Sequence, residues 1–249
     1  MKFISPILDK LSHNQSILVF DCEFWHVFNE VKGMKMFNNE CFFTPREIGG
    51  FVLEKDKEWK IKEKFFVTFD EPFDDVALPI SKFASVNIDS AARLDEIETK
   101  INIDWVDAHR SILNENQSKL LEKALEIYKK DPNIKKHHKS ITWIKDFLEL
   151  YASSTIIVKG TGDIDALRNI CKINGYEFKK AKYGIDIAKW NKQFRRLCGS
   201  AQLFDNYQCI QDRLPSEIKQ LIPYLELKEA HDPRTDASMT LIICMYIHR

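Results

Sequence analysis

Asp21 and Glu23 stand two residues apart where the apolar run S-I-L-V-F ends. In an extended chain this spacing puts both side chains on one face. Carboxylates leaving an apolar strand are costly unless they are paired or bind a cation. The same D-x-E spacing recurs at Asp56 and Glu58, but inside the solvated run E-K-D-K-E-W-K. Only the first copy carries a chemical implication. Asp163 follows a second apolar run, S-T-I-I-V-K, and the turn G-T-G. It opens a helical segment, so it reads as an N-cap or as a site residue beyond the end of a strand. Asp165 competes for the same role. His231 and Asp236 lie five residues apart in H-D-P-R-T-D-A, ahead of the last apolar stretch. Pro233 and Thr235 suit a helix start. Asp236 would then occupy the first turn, with His231 on the preceding loop. A capped helix behind a surface histidine is the plainer alternative.

These residues need elements to position them. Residues 16–20 read as a buried strand that ends at Asp21. Residues 47–53 and 64–69 read as two more strands, and the polar stretch 54–60 between them makes the pair a hairpin. Residues 24–44 form a long connection. Residues 112–128 and 141–151 carry helical stripes. Residues 154–159 are a buried strand, followed by a helix from about Asp163 to Asn174 that Gly175 stops. Residues 184–190 begin with a short strand, and the chain ends in a helix over 236–247. The order β-β-β, helices, β-α-β predicts an α/β mixed sheet flanked by helices. An antiparallel meander is extended in it by parallel strands. Residues 70–140 read as a helical elaboration within a single domain.

The composition sets limits. The chain has 249 residues, 44% hydrophobic and 30% charged, which is the balance of a globular protein. Its net charge is zero, from 37 Lys+Arg against 37 Asp+Glu, which argues against a strongly basic nucleic-acid coat. The balance hides segregation: residues 70–107 hold ten acids against three bases, and residues 172–196 hold eight bases against two acids. The basic stretch could track a phosphate backbone. Six cysteines occur without C-x-x-C or zinc spacing, which predicts free thiols in a reducing compartment. The start of the chain has no apolar signal region, and no apolar run approaches a membrane span. The expectation is an intracellular protein, cytoplasmic or nuclear, with no membrane partner.

Taken in order, these segments resemble the DEDDh 3′–5′ exonuclease family of the ribonuclease H-like superfamily. F-D-C-E-F is similar to the family's first motif and supplies Asp21 and Glu23. R-E-I-G-G-F-V-L looks like its second strand. V-K-G-T-G-D-I-D-A-L is similar to the second motif, in which Asp163 keeps register through Leu167 and Asp165 does not. H-D-P-R-T-D-A is similar to the third motif, with Ala237 after Asp236. The resemblance covers about residues 16–69 and 154–247. It departs at K-G-T-G, residues 159–162, where many members carry a His-Asn pair.

The resemblance implies a metal-dependent 3′–5′ exonuclease. It would hydrolyse 3′-terminal phosphodiesters of single-stranded nucleic acid, with RNA slightly favoured over DNA, and release nucleoside 5′-monophosphates. Asp21, Glu23, Asp163 and Asp236 would hold two divalent cations, Mg²⁺ or Mn²⁺, and His231 would be the general base. Two like charges ~4 Å apart repel by about 4 kcal/mol at an effective dielectric of ~20, which divalent cations relieve. Phe24, Trp25, Lys159 and Thr161 are the candidate substrate contacts, the aromatics by stacking on a base. A catalytically silent nucleic-acid-binding or adaptor module is the alternative, as is a proofreading subunit of a polymerase.

Overall fold

The computed structural model describes residues 2–13, 15–27, 36–37, 41–69, 142–228 and 232–249. The expected helical elaboration at 70–140, with its stripe at 112–128, lies outside the described residues, and so does His231. The elements are β1 (Lys2–Phe3), α1 (Pro6–Leu11), β2 (Ser16–Val27), β3 (Met36–Phe37), β4 (Cys41–Lys55) and β5 (Trp59–Thr68). They are followed by α2 (Thr142–Ser153), β6 (Thr155–Val158), α3 (Gly162–Ile173), β7 (Tyr183–Asp186), α4 (Asn191–Cys198), α5 (Leu203–Gln211), α6 (Ser216–Lys219) and α7 (Pro233–Ile247).

One mixed sheet runs β1-β5-β4-β2-β6-β7, with β3 paired on β4. β5, β4 and β2 are antiparallel, while β6 and β7 join parallel to β2. This is the α/β sheet expected from the order of elements. Alternation along the strands builds a separate core on each face. Ile17, Val19, Phe51, Leu53 and Ile157 pack with α7 and the helices before it. Leu18, Phe20, Cys22, Ile48, Val52, Ile156 and Val158 pack with α2 and α3. Helices therefore cover both faces. None of the described helices is long and apolar enough to cross a membrane.

Three expectations need correction. First, β2 does not end at Asp21. It continues to Val27, because β4 begins at Cys41 and pairs with it along the whole length. Part of the expected long connection is thus strand, and Asp21 and Glu23 lie within β2. Second, the thiols are not all free. Cys198, at the end of α4, is joined to Cys209 in α5, with Cα atoms 5.7 Å apart. The reversal between α4 and α5 brings them together, which their spacing in sequence does not reveal. A loop of this size is stabilised by about 3 kcal/mol in the chain-entropy picture. Cys22, Cys171 and Cys244 are buried thiols. Third, the last helix is longer than the expected 236–247: α7 runs from Pro233, with Asp236 in its first turn as the helix-start residues imply, and Asp232 caps it, accepting from the Arg234 N–H at 2.9 Å.

Two features fix where α7 meets the sheet. A Cβ added to Gly49 in β4 would lie 2.7 Å from the Arg234 nitrogen and 2.9 Å from the Pro233 carbonyl carbon. Only glycine lets the helix start come this close. The segment before α7 is strapped along it, with Glu226 N–H donating to Ser238 Oγ and Lys228 N–H to Thr235 Oγ1, each at 3.2 Å.

Candidate metal centre

Past Val19 the β2–β6 pairing stops, and β2 continues beside β4 alone. The crevice beyond the C-terminal ends of parallel strands is the usual ligand position in an open α/β sheet. Asp21 and Glu23 follow Ile17 and Val19 in alternation, so they face α7. Asp236, in the first turn of α7, meets them there. One carboxylate oxygen from each of Asp21, Glu23 and Asp236 lies within 4.8 Å of the others. Glu23 is 4% exposed, while Asp21 and Asp236 are half-buried.

Asp163 is not one of these three carboxylates, but it approaches the same stretch of β2 from α3, and its charge acts on Asp21. The turn after β6 is closed by Asp186, whose Oδ1 accepts from the Gly160 N–H at 2.7 Å, and Gly160 takes a left-handed φ of +95°. Thr161 occupies the N-cap position of α3 but makes no side-chain cap bond. Asp163, 4% exposed, is therefore inside the first turn rather than the cap, and its Oδ1 accepts from the Cys22 N–H at 3.1 Å. That bond ties it to the strand between Asp21 and Glu23. Asp165 turns to an ion pair with Arg168 and takes no part. Asp163 and Asp236 both sit at helix N-termini, where the peptide dipoles favour negative charge.

Electrostatics record the crowding. Burial, and then the charges of Asp163, Asp236 and Glu23, push the Asp21 carboxyl well above its ordinary range. Burial also lifts Asp163 to about 8; the charges of Asp236 and Asp186 add to the rise, and the Cys22 N–H opposes it. Hard oxygen donors at this density fit Mg²⁺ or Mn²⁺ better than they fit one another.

The substrate candidates occupy distinct positions. Lys159 is half-buried and donates to the Ala201 carbonyl at 2.8 Å. Burial lowers its pKa, against the opposing pull of Asp236, Asp21 and Asp205. Phe24 stacks on Phe43 at 5.0 Å between centroids, with its ring tip near Gly162. This anchors the end of β2 against the start of α3. Thr161 is exposed. Trp25 belongs to β2, but its side chain lies outside the described residues. The eight cations of residues 172–196 are all exposed, and Lys179 pairs with Glu149.

Two charged groups by the site escaped the sequence reading. Asp186 holds the turn that precedes Asp163. Arg46 is buried, with Nη2 3.9 Å from Glu23 Oε2. Neither stands in a recognisable pattern: Arg46 lies just before the strand read over 47–53, at the head of R-E-I-G-G-F-V-L, and Asp186 ends the short β7. The chain matches no protein-family model and no curated protein.

Proposed function

We propose that this protein is a metal-dependent 3′–5′ exonuclease of the DEDDh kind on a ribonuclease H-like fold. It removes nucleoside 5′-monophosphates from the 3′ end of single-stranded nucleic acid, RNA slightly ahead of DNA. The observation that carries the proposal is the convergence of Asp21, Glu23 and Asp236, with Asp163 tied to the same strand. The strand order, an antiparallel hairpin followed by parallel strands, supports the fold.

Asp21, Glu23, Asp163 and Asp236 would hold two divalent cations. When bound, such ions activate a water and neutralise charge on both the attacking and leaving oxygens. The water oxygen forms the new bond to phosphorus, and the bond to the 3′-oxygen breaks. His231 accepts the water's proton, which an imidazole of ordinary pKa near ~6.5 can do at neutral pH. Lys159 and the exposed cations of residues 172–196 attract the phosphate backbone. Phe24 anchors the start of α3 through its stack on Phe43, and Trp25 remains the candidate for stacking on a base.

The test uses 5′-labelled single-stranded RNA and DNA of one sequence, with Mn²⁺, Mg²⁺ or EDTA. The expected result is a ladder shortening from the 3′ end that EDTA abolishes. No shortening of either strand in either metal contradicts the proposal, and immediate release of the labelled nucleotide reverses the polarity. His231→Ala should slow cleavage by about 10²–10⁴-fold and leave Mn²⁺ binding unchanged.

A further inference from the structure

Arg46 sits in a β-bulge. Glu23 pairs with Glu47 and Phe24 with Pro45, so Arg46 is the extra residue on β4. Such an insertion re-aims a side chain. Here the guanidinium lies 3.5 Å from Glu47 Oε2 and 3.9 Å from Glu23 Oε2. The residue is 2% exposed, and its Nε, Nη1 and Nη2 have no hydrogen-bond partner. A guanidinium that orients a carboxylate does so through short, parallel N–H···O bonds of about 2.7–2.9 Å. Neither contact is of that kind. Arg46 therefore acts on Glu23 through its charge and not through hydrogen-bond geometry. Among the described residues, Lys159 is another cation near the acids, and it is tied to the Ala201 carbonyl.

We propose that Arg46 is a fixed counter-charge that weakens divalent-cation binding in the substrate-free site, acting through Glu23. The inference rests on the reading of Asp21, Glu23, Asp163 and Asp236 as a cation site. A buried positive charge beside one ligand repels any cation that the four carboxylates attract, and burial keeps salt from screening it. A phosphodiester brings a negative charge that offsets Arg46. Substrate and cation then favour each other's binding, as linkage requires. Arg46 is a positioning residue in this account and touches no substrate.

The test is calorimetric titration of the full chain with Mn²⁺, without nucleic acid. Arg46→Met should tighten Mn²⁺ binding at least about tenfold, or about 1.4 kcal/mol. Arg46→Lys keeps the charge and should stay within about threefold of the unaltered chain. Arg46→Met with Glu47→Gln removes one charge of each sign, and should also return to within about threefold. A purely structural role for Arg46 would lower stability in the single variant without tightening the metal. Equal or weaker Mn²⁺ binding by Arg46→Met overturns the proposal. Should that variant not fold, Arg46→Gln carries the same expectation and the same refutation. An unaltered chain that binds no Mn²⁺ overturns the cation site itself, and Arg46's role with it.

Discussion

The chain carries the pattern D-x-E twice, and the two copies differ in everything but spacing. Asp56 and Glu58 lie in the bend between β4 and β5, where the Asp56 N–H reaches the Glu58 carbonyl at 3.4 Å. Asp56 is exposed to solvent. Asp21 and Glu23 lie within a strand whose neighbours carry more acid. Asp236 arrives on the first turn of α7 and Asp163 on the first turn of α3. A motif gains chemistry only when the fold crowds it. Here the crowding comes from two helix starts aimed at one stretch of β2.

The comparison breaks most readily at Asp21. Asp21→Asn should cut metal-dependent cleavage about a thousandfold, or ~4 kcal/mol of barrier. The same change relieves repulsion, so in EDTA this variant should melt above the unaltered protein. A variant that melts lower in EDTA would show that the carboxylates are not in conflict.

A second test uses pH. Asp163 has a folded pKa of about 8 against an ordinary 3.8, so folding favours its protonated form between those values. Metal-free stability from this group is full below about pH 4 and is lost as pH rises towards 8. Saturating Mn²⁺ takes the place of the protons, and the fall should flatten or reverse. Denaturant midpoints at about pH 5 and about pH 8, with Mn²⁺ and with EDTA, decide it. Parallel curves in the two conditions would detach the titration from metal binding.

Smaller effects should follow at Gly49. Gly49→Ala pushes the start of α7, and Asp236 with it, away from β2. The expected cost is about 1–3 kcal/mol of stability, with weaker Mn²⁺ binding measured by calorimetry. Unchanged affinity would mean that Asp236 tolerates displacement. The smallest effect belongs to the second D-x-E. Asp56→Asn with Glu58→Gln should move stability by no more than about 0.5 kcal/mol and leave cleavage untouched. Loss of activity there would undo the contrast between the two copies.

Much of the site was legible because its residues sit where local patterns change. The run S-I-L-V-F marks β2, the turn G-T-G marks the start of α3, and D-P-R-T-D marks the start of α7. Each break in pattern places a carboxylate. What stayed hidden depends on partners distant in sequence. The length of β2 is set by β4, and the bulge at Arg46 by the register between those two strands. Pro45, which lacks the ladder N–H, falls between the connection read over 24–44 and the strand read over 47–53, so the pairing there is not visible locally. The Cys198–Cys209 bridge depends on how α4 and α5 reverse. β1 has two residues and carries no periodicity, and α1 follows it as a single capped turn and a half.

The proposed cation site draws its four carboxylates from β2, α3 and α7. The most direct measurement is anomalous diffraction from crystals of the full chain grown with Mn²⁺. The expected result is an anomalous peak between the carboxylates of Asp21, Glu23, Asp163 and Asp236. Manganese bound only at other positions, with these four carboxylates left among themselves, would contradict it.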